Sequence, residues 1–215
     1  MSRKDGGQKS TRGKESKSKQ TGTWSTRRKL LIGLCAVVAV ALIVVFAVIP
    51  GLSQPRTYSA PPPMTIDTSK QYTATIETEK GDLVLELFAS DVPVTVSSFV
   101  FLARDGFYNR TTFHRVVRDP APFVVQGGCR ANNPNCSPGY YINDEITEHT
   151  HVAGALSMAR TDQPNTNGCQ FFICLTPQPH LDGRYSVFGQ LIEGWDVLDR
   201  IEQGDVITRI TIEEE

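Results

Sequence analysis

The sequence predicts a mainly β domain, a closed antiparallel barrel or a sandwich of many short strands with two helices, carried behind one membrane-spanning helix. Three observations predict it. Short period-2 runs of apolar residues recur from Tyr72 to the C-terminus, as half-buried strands require. Only two stretches there, around Phe99 and Leu198, carry apolar residues at helical spacing. Far upstream, residues 30–49 read LLIGLCAVVAVALIVVFAVI, with no charge and no strongly polar side chain. Closure into a barrel would remove the exposed edges that short strands otherwise leave, but propensity alone leaves the sandwich open.

The net charge of −1 hides a division. Residues 1–29 hold ten Lys or Arg and two acidic residues; the rest of the chain holds twelve basic and twenty-one acidic ones. Ser, Gly, Gln and Lys dominate this basic tail, which reads as disordered, a topology signal in preference to an arm for nucleic acid or lipid. Twenty apolar residues at ~1.5 Å each reach ~30 Å, the hydrocarbon thickness of a bilayer. A cleaved signal peptide is the rival reading. Its apolar run would be ~7–15 residues with a small-x-small site after it. This run is longer and ends Phe46-Ala47-Val48-Ile49-Pro50, and Leu34 stands where a lipid-modified Cys35 would need a small residue. Residues 30–49 are read as an uncleaved transmembrane signal anchor. Arg27-Arg28-Lys29 abut it, so the positive-inside rule places the tail in the cytoplasm and residues 72–215 outside, in a single-pass protein of the plasma membrane. Residues 50–71, with Pro50, Pro55 and Pro61-Pro62-Pro63, read as a Pro-rich linker that stands the domain off the surface.

From Tyr72 the elements follow in order. Tyr72, Ala74 and Ile76 alternate with polar residues, and Leu83, Leu85 and Leu87 do so after Glu79-Lys80-Gly81-Asp82, which makes a hairpin. Asp91 before Pro93 suits a helix start, Val96, Phe99, Val100 and Ala103 keep helical spacing, and Gly106 ends the element. Strands are expected at Thr112–Val117, Phe123–Gln126, Ala153–Ala159, Gln170–Leu175 and Tyr185–Ile192. A second helix crosses Trp195, Leu198 and Ile201 and stops at Gly204, and a last strand runs Asp205–Ile212.

Three segments carry the functional signal. Phe113-His114-Arg115-Val116-Val117 precedes Phe123-Val124-Val125-Gln126-Gly127-Gly128. The turn-rich Gln163-Pro164-Asn165-Thr166-Asn167-Gly168 then runs into Cys169-Gln170-Phe171-Phe172-Ile173. Leu181-Asp182-Gly183-Arg184-Tyr185-Ser186-Val187-Phe188-Gly189 completes the set. In this order the segments resemble the cyclophilin family of peptidyl-prolyl isomerases, over about residues 72–214. The resemblance implies an eight-stranded closed antiparallel barrel capped by two helices. It places the catalytic arginine at Arg115 and the glutamine that holds it at Gln126. Phe123, Val124, Phe172 and Leu181 match apolar positions around the proline ring, and Ala159 matches a small residue beside the groove. His180 stands where many eukaryotic members have Trp, and Tyr185 where many have His, as in bacterial members. Arg115 and Phe123 are separated by three residues more than in the common pattern.

The implied chemistry needs no nucleophile, metal or cofactor. Rotation of a trans amide is opposed by ~18–20 kcal/mol of resonance, and X-Pro bonds exchange over tens of seconds. A catalyst must grip the ring and favour the twisted amide, and a fixed cation near the proline nitrogen does so by competing for the freed lone pair. The expected partners are Pro-containing polypeptides, exported proteins being folded near the membrane; no nucleic acid is expected, and the protein is expected to be monomeric. A proline-segment binding module or an assembly factor with little turnover is the alternative. His114 is assigned to structure because bond rotation transfers no proton. His149 and His151 form H-x-H without a further ligand nearby in sequence and read as loop residues. Alternation puts Phe171 and Phe172 on opposite faces, so at most one lines a pocket.

Four cysteines lie beyond the apolar segment, in a compartment where disulfides persist. Three full pairings are open and none is required. Cys129 and Cys136 are the candidate pair, because Asn132-Asn133-Pro134-Asn135 between them turn readily. Cys169 and Cys174 fall five residues apart on one strand and are expected as free thiols.

Overall fold

The computed structural model describes residues 56–215 apart from Ala131, Asn132 and Pro134. The basic tail, the apolar segment 30–49 and the first residues of the linker lie outside the described residues, as do two of the turn-formers in the cysteine loop. No helix among the described residues is long and apolar enough to cross a membrane.

The expected hairpin forms where the alternation places it. β1 (Tyr72–Thr78) pairs antiparallel with β2 (Gly81–Leu87), Tyr72 opposite Leu87, and Gly81 takes φ 123° in the turn. Tyr72, Ala74, Ile76, Leu83, Leu85 and Leu87 all face inward and are buried. Helix α1 (Pro93–Arg104) follows. Asp91 does not cap it. Asp91 bonds His149 and Ser90 instead, and the free N–H groups of Val94 and Thr95 are taken by the Glu145 carboxylate at 3.1 and 2.7 Å, from a loop fifty residues on.

The run Thr112–Val117, expected as one strand, is broken. β3 (Thr111–Thr112) and β4 (Arg115–Val116) lie either side of Phe113-His114. Phe113 turns inward to full burial, and its N–H donates to the Asp205 carbonyl while its carbonyl accepts from the Gly204 N–H, each 2.9 Å. Then come β5 (Val124–Gly127), β6 (Ala155–Met158), β7 (Phe171–Cys174) and β8 (Val187–Glu193). Helix α2 (Trp195–Arg200) stops earlier than Gly204, because Ile201 turns extended to bury its side chain. Strand β9 (Val206–Glu214) closes the chain.

These strands form one sheet, in the order β3-β9-β1-β2-β8-β6-β7-β5-β4. Among the described residues the strand count is therefore nine where eight were expected, and the closed barrel is replaced by a curled sheet. Its two edge strands, β3 and β4, are consecutive in the chain and joined by two residues, so the curl brings the edges together. Thr112 also bridges Cys129, just past the end of β5. Gly128 lets the chain pass close against Cys169: at φ 103° it has no Cβ to collide with the Cys169 carbonyl.

The inner face holds the main core, including Phe99, Phe113, Val125, Leu156, Phe171, Ile173 and Phe188. A smaller cluster lies apart, made by Val124, Ala155, Phe172, Cys174, Leu181 and Val187. It occupies the opposite face of β5, β6 and β7, as the period of two requires.

Residues from Arg56 onward belong to the same compact unit as the sheet. The segment read as a spacer is packed in its described part. Tyr58 meets Phe101, Phe107 and Tyr140, its hydroxyl donates to Asp105 at 2.6 Å, and its N–H donates to the Pro138 carbonyl at 2.8 Å. Ile66 is buried, and Thr65 N–H donates to Ser97 at 3.1 Å.

Candidate functional site

Register builds the site. Arg115 of β4 stands opposite Gln126 of β5, Gln126 opposite Phe172 of β7, and Phe172 opposite Ser157 of β6. The four side chains form one cross-strand row, since directly paired residues share a face. At the edge of the row the Arg115 Nη1 donates to Gln126 Oε1 at 3.1 Å, and Gln126 Nε2 donates to Gln170 Oε1 at 2.9 Å. The glutamine thus spans from the cation to the next segment and fixes both ends. The guanidinium carbon lies 5.6 Å from the Phe123 ring centroid, within cation–π reach. Arg115 is itself exposed, its charge free to meet a ligand.

Beside this pair a cavity of about 210 Å³ opens, with Phe123, Val124, Phe172, Leu181 and Tyr185 as its apolar walls. Arg115, Gln126, Ala159 and Arg160 complete it. All the residues assigned to the groove from sequence are brought together there except His180. That residue is exposed at the rim, its ring stacked on Phe123 with centroids 5.8 Å apart. The additional residues between Arg115 and Phe123 do not displace the pocket. Asp119–Pro122 bulge outward as an exposed loop, closed by Phe123 N–H to the Val117 carbonyl and Val117 N–H to the Val124 carbonyl. Of the two phenylalanines, Phe171 enters the main core and Phe172 floors the cavity.

A second cavity of about 290 Å³ shares Gln126, Ala159 and Arg160 with the first. Asn165-Thr166-Asn167-Gly168 frames it. Asp144 holds this turn, accepting from the Asn165 N–H at 3.1 Å and from Asn167 Nδ2 at 2.7 Å.

Cys129 and Cys136 are joined in a disulfide, and Cys169 and Cys174 are free. Burial pushes both free thiols up to about 12, which keeps them protonated and unreactive. Sequence spacing concealed that Cys169 Sγ lies 3.3 Å from Cys136 Sγ. The sulfurs of Cys129, Cys136 and Cys169 lie within 4.8 Å of one another, but with two of them bonded the group is a bridge beside a thiol.

Three further residues escaped the sequence reading. Arg160 lies between the two cavities, 4.8 Å from the Tyr185 ring centroid, with its donors on the carbonyls of Thr161, Gln163 and Arg184. Gln170 secures Gln126. Neither had a signal beyond its place next to Ala159 and Phe171. His151, read as a loop residue, is buried.

Among the described residues, a short-stranded curled sheet bears an apolar pocket beside an arginine–glutamine pair, the frame of a site that binds by shape and charge. The model of cyclophilin-type peptidyl-prolyl cis-trans isomerases matches residues 73–214. A peptidyl-prolyl cis-trans isomerase of Helicobacter pylori is 45% identical over 148 residues, 67% of this chain and 88% of that one. Peptidyl-prolyl cis-trans isomerase B of Bacillus subtilis is 44% identical over 138 residues, covering 63% and 94%. The crystal structure of a cyclophilin-type isomerase from Cryptosporidium parvum superposes with TM-score 0.62 at 34% identity, covering 68% of this chain and 99% of that one. The chain belongs to the cyclophilin family and is a peptidyl-prolyl cis–trans isomerase.

Proposed function

We propose that Arg115 and Gln126 are the catalytic pair of this isomerase and that the 210 Å³ cavity takes the proline ring. One observation carries the reading: a charged guanidinium, held in place by Gln126, sits at the mouth of a pocket walled by Phe123, Val124, Phe172 and Leu181. The apolar walls grip the ring. Gln126 fixes the arginine and the peptide backbone, and the guanidinium stabilises the lone pair that rotation frees on the proline nitrogen. Ala159 keeps the groove open for the residues before proline. The enzyme works on exported proteins, held at the outer face of a plasma membrane by residues 30–49. The uncharged twenty-residue segment and the basic residues before it support that placement.

Arg115→Ala is expected to lower kcat/KM on a short Ala-Pro peptide by about 100-fold, the scale of losing one electrostatic donor, with the fold unchanged. Wild-type turnover in that variant would remove Arg115 from the mechanism. Protease added to spheroplasts should digest residues 72–215 and spare a tag on the N-terminus. A tag cut first would overturn the topology, and a soluble protein beginning near Gly51 would replace the anchor with a cleaved signal.

A further inference from the structure

The cross-strand row of the groove does not end at Phe172. Its next member, Ser157, is fully buried and meets His151 Nε2 at 3.1 Å. The His151 side chain is also wholly buried. Its ring lies parallel to Phe172, with centroids 5.9 Å apart and planes inclined by 10°, and edge-on to Tyr185 at 6.4 Å. Nδ1 lies 2.8 Å from Asp182 Oδ1, and the His151 backbone N–H donates to the same oxygen at 2.8 Å. The His151 carbonyl accepts from the Gln178 N–H at 2.7 Å. Asp182 and Gln178 flank the short 3-10 turn Pro179–Leu181, whose Leu181 is a wall of the cavity.

We propose that His151 is a positioning residue of the isomerase, one that sets the spacing between the Phe172 floor and the Leu181 wall of the proline-ring pocket. The inference rests on the pocket reading given above. The ring braces the floor by stacking, and its two nitrogens tie the wall, through Asp182, to the strand beside the floor, through Ser157. A buried imidazole costs desolvation that an aliphatic side chain would not, so its bonds account for its presence there. It supports the small satellite cluster around Phe172 and lies outside the main core.

The protonation state fits this role. Burial pushes His151 below its usual value, against the opposing pull of Asp182, while the His151 backbone and side-chain bonds hold Asp182 below the usual carboxylate range. The ring is then neutral. Its Nδ1–H donates to an ionised Asp182, which leaves Nε2 an acceptor, and the Ser186 carbonyl and Nε2, each 3.1 Å from Ser157 Oγ, share its single hydroxyl proton. The order Asp182–His151–Ser157 is that of a hydrolase triad, but Ser157 has no exposed surface from which to attack a substrate. The chain of bonds orients side chains and transfers nothing.

The test uses the full-length protein, with kcat and KM for a short Ala-Pro peptide resolved by NMR exchange spectroscopy. His151→Leu fills the space without the bonds. It should raise KM about tenfold and leave kcat within about threefold, since the proline grip is loosened and the cation is untouched. His151→Asn, whose amide N–H stands near the Nδ1 position, should recover most of the lost affinity. His151→Gln, whose amide stands near Nε2, should recover less. A wild-type KM in His151→Leu would overturn the inference, as would a fall in kcat alone or equal defects in all three variants that merely follow their melting temperatures. If His151→Leu does not fold, Asp182→Asn carries the test at a partly exposed carboxylate: KM should rise, and an unchanged KM overturns the inference. Arg115→Ala run in parallel separates the two readings. Loss of turnover there with silent His151 variants sinks only this inference, whereas a silent Arg115→Ala sinks the pocket reading itself.

Discussion

Among individual residues, buried His151 and half-buried His114 give the domain a pH dependence near neutrality. Burial lowers both His114 and His151 from 6.5, the first against the hydrogen bonds it makes to the Thr112 backbone and to Gln170, the second against Asp182. The sign follows from proton uptake. Between the lowered folded values and 6.5 the unfolded chain binds more protons, so stability rises with pH through that window and is complete above it. The urea midpoint should therefore fall as pH drops from 7 towards 5, before the carboxylates are protonated. Replacing both histidines with Asn should flatten that interval, and a wild-type midpoint constant from pH 7 to 5 would contradict the assignment. The sequence announced Arg115 and Gln126 through their neighbours, because strand motifs of fixed order place them opposite each other. It did not announce His151. The bonds that give His151 its place come from Ser157 and Asp182, six and thirty-one residues away, and H-x-H spacing carries no trace of them.

Secondary elements were legible where the period was local and obscure where a distant group decided. The hairpin β1–β2 needed only alternation and Gly81. The start of α1 could not be read correctly because its cap, Glu145, arrives from far along the chain. The split of Thr112–Val117 depended on the bonds of Phe113 with Gly204 and Asp205. Prolines at 61–63 spoke for a detached spacer, yet one tyrosine and one isoleucine suffice to dock the described part of that segment. A protein cut to begin at Tyr72 should lose about 2–4 kcal/mol relative to one beginning at Gln54, from the lost burial of Tyr58 and Ile66. It should also bind more of a hydrophobic dye, through Phe101, Phe107 and Tyr140. Identical urea midpoints for the two would show that the docked segment adds nothing.

For the molecule as a whole, two cores divide the labour. The inner core holds the curled sheet together, and the satellite cluster shapes the groove on its outer face. This separation lets groove residues be exchanged with little effect on the main core, because Phe171 and Phe172 answer to different clusters. Alternation in the sequence foretold that division. The resemblance implied that the sheet's edges meet; that they do so through a break at Phe113-His114 was not foretold, since that break depends on Gly204 and Asp205.

The docked Tyr58 also fixes the route by which tension would travel. A pull applied upstream of Arg56 reaches the domain first at Arg56, paired with Asp105, and then at Tyr58, which is fastened to Asp105 and to the carbonyl of Pro138. Pro138 lies two residues past Cys136, and Cys136 is covalently joined to Cys129 at the end of β5. Load is thus delivered to a cross-linked loop and to the end of a helix before it can peel β1 from its neighbours. The domain is strapped in like a tool on a lanyard, with the strain relief built in ahead of the sheet.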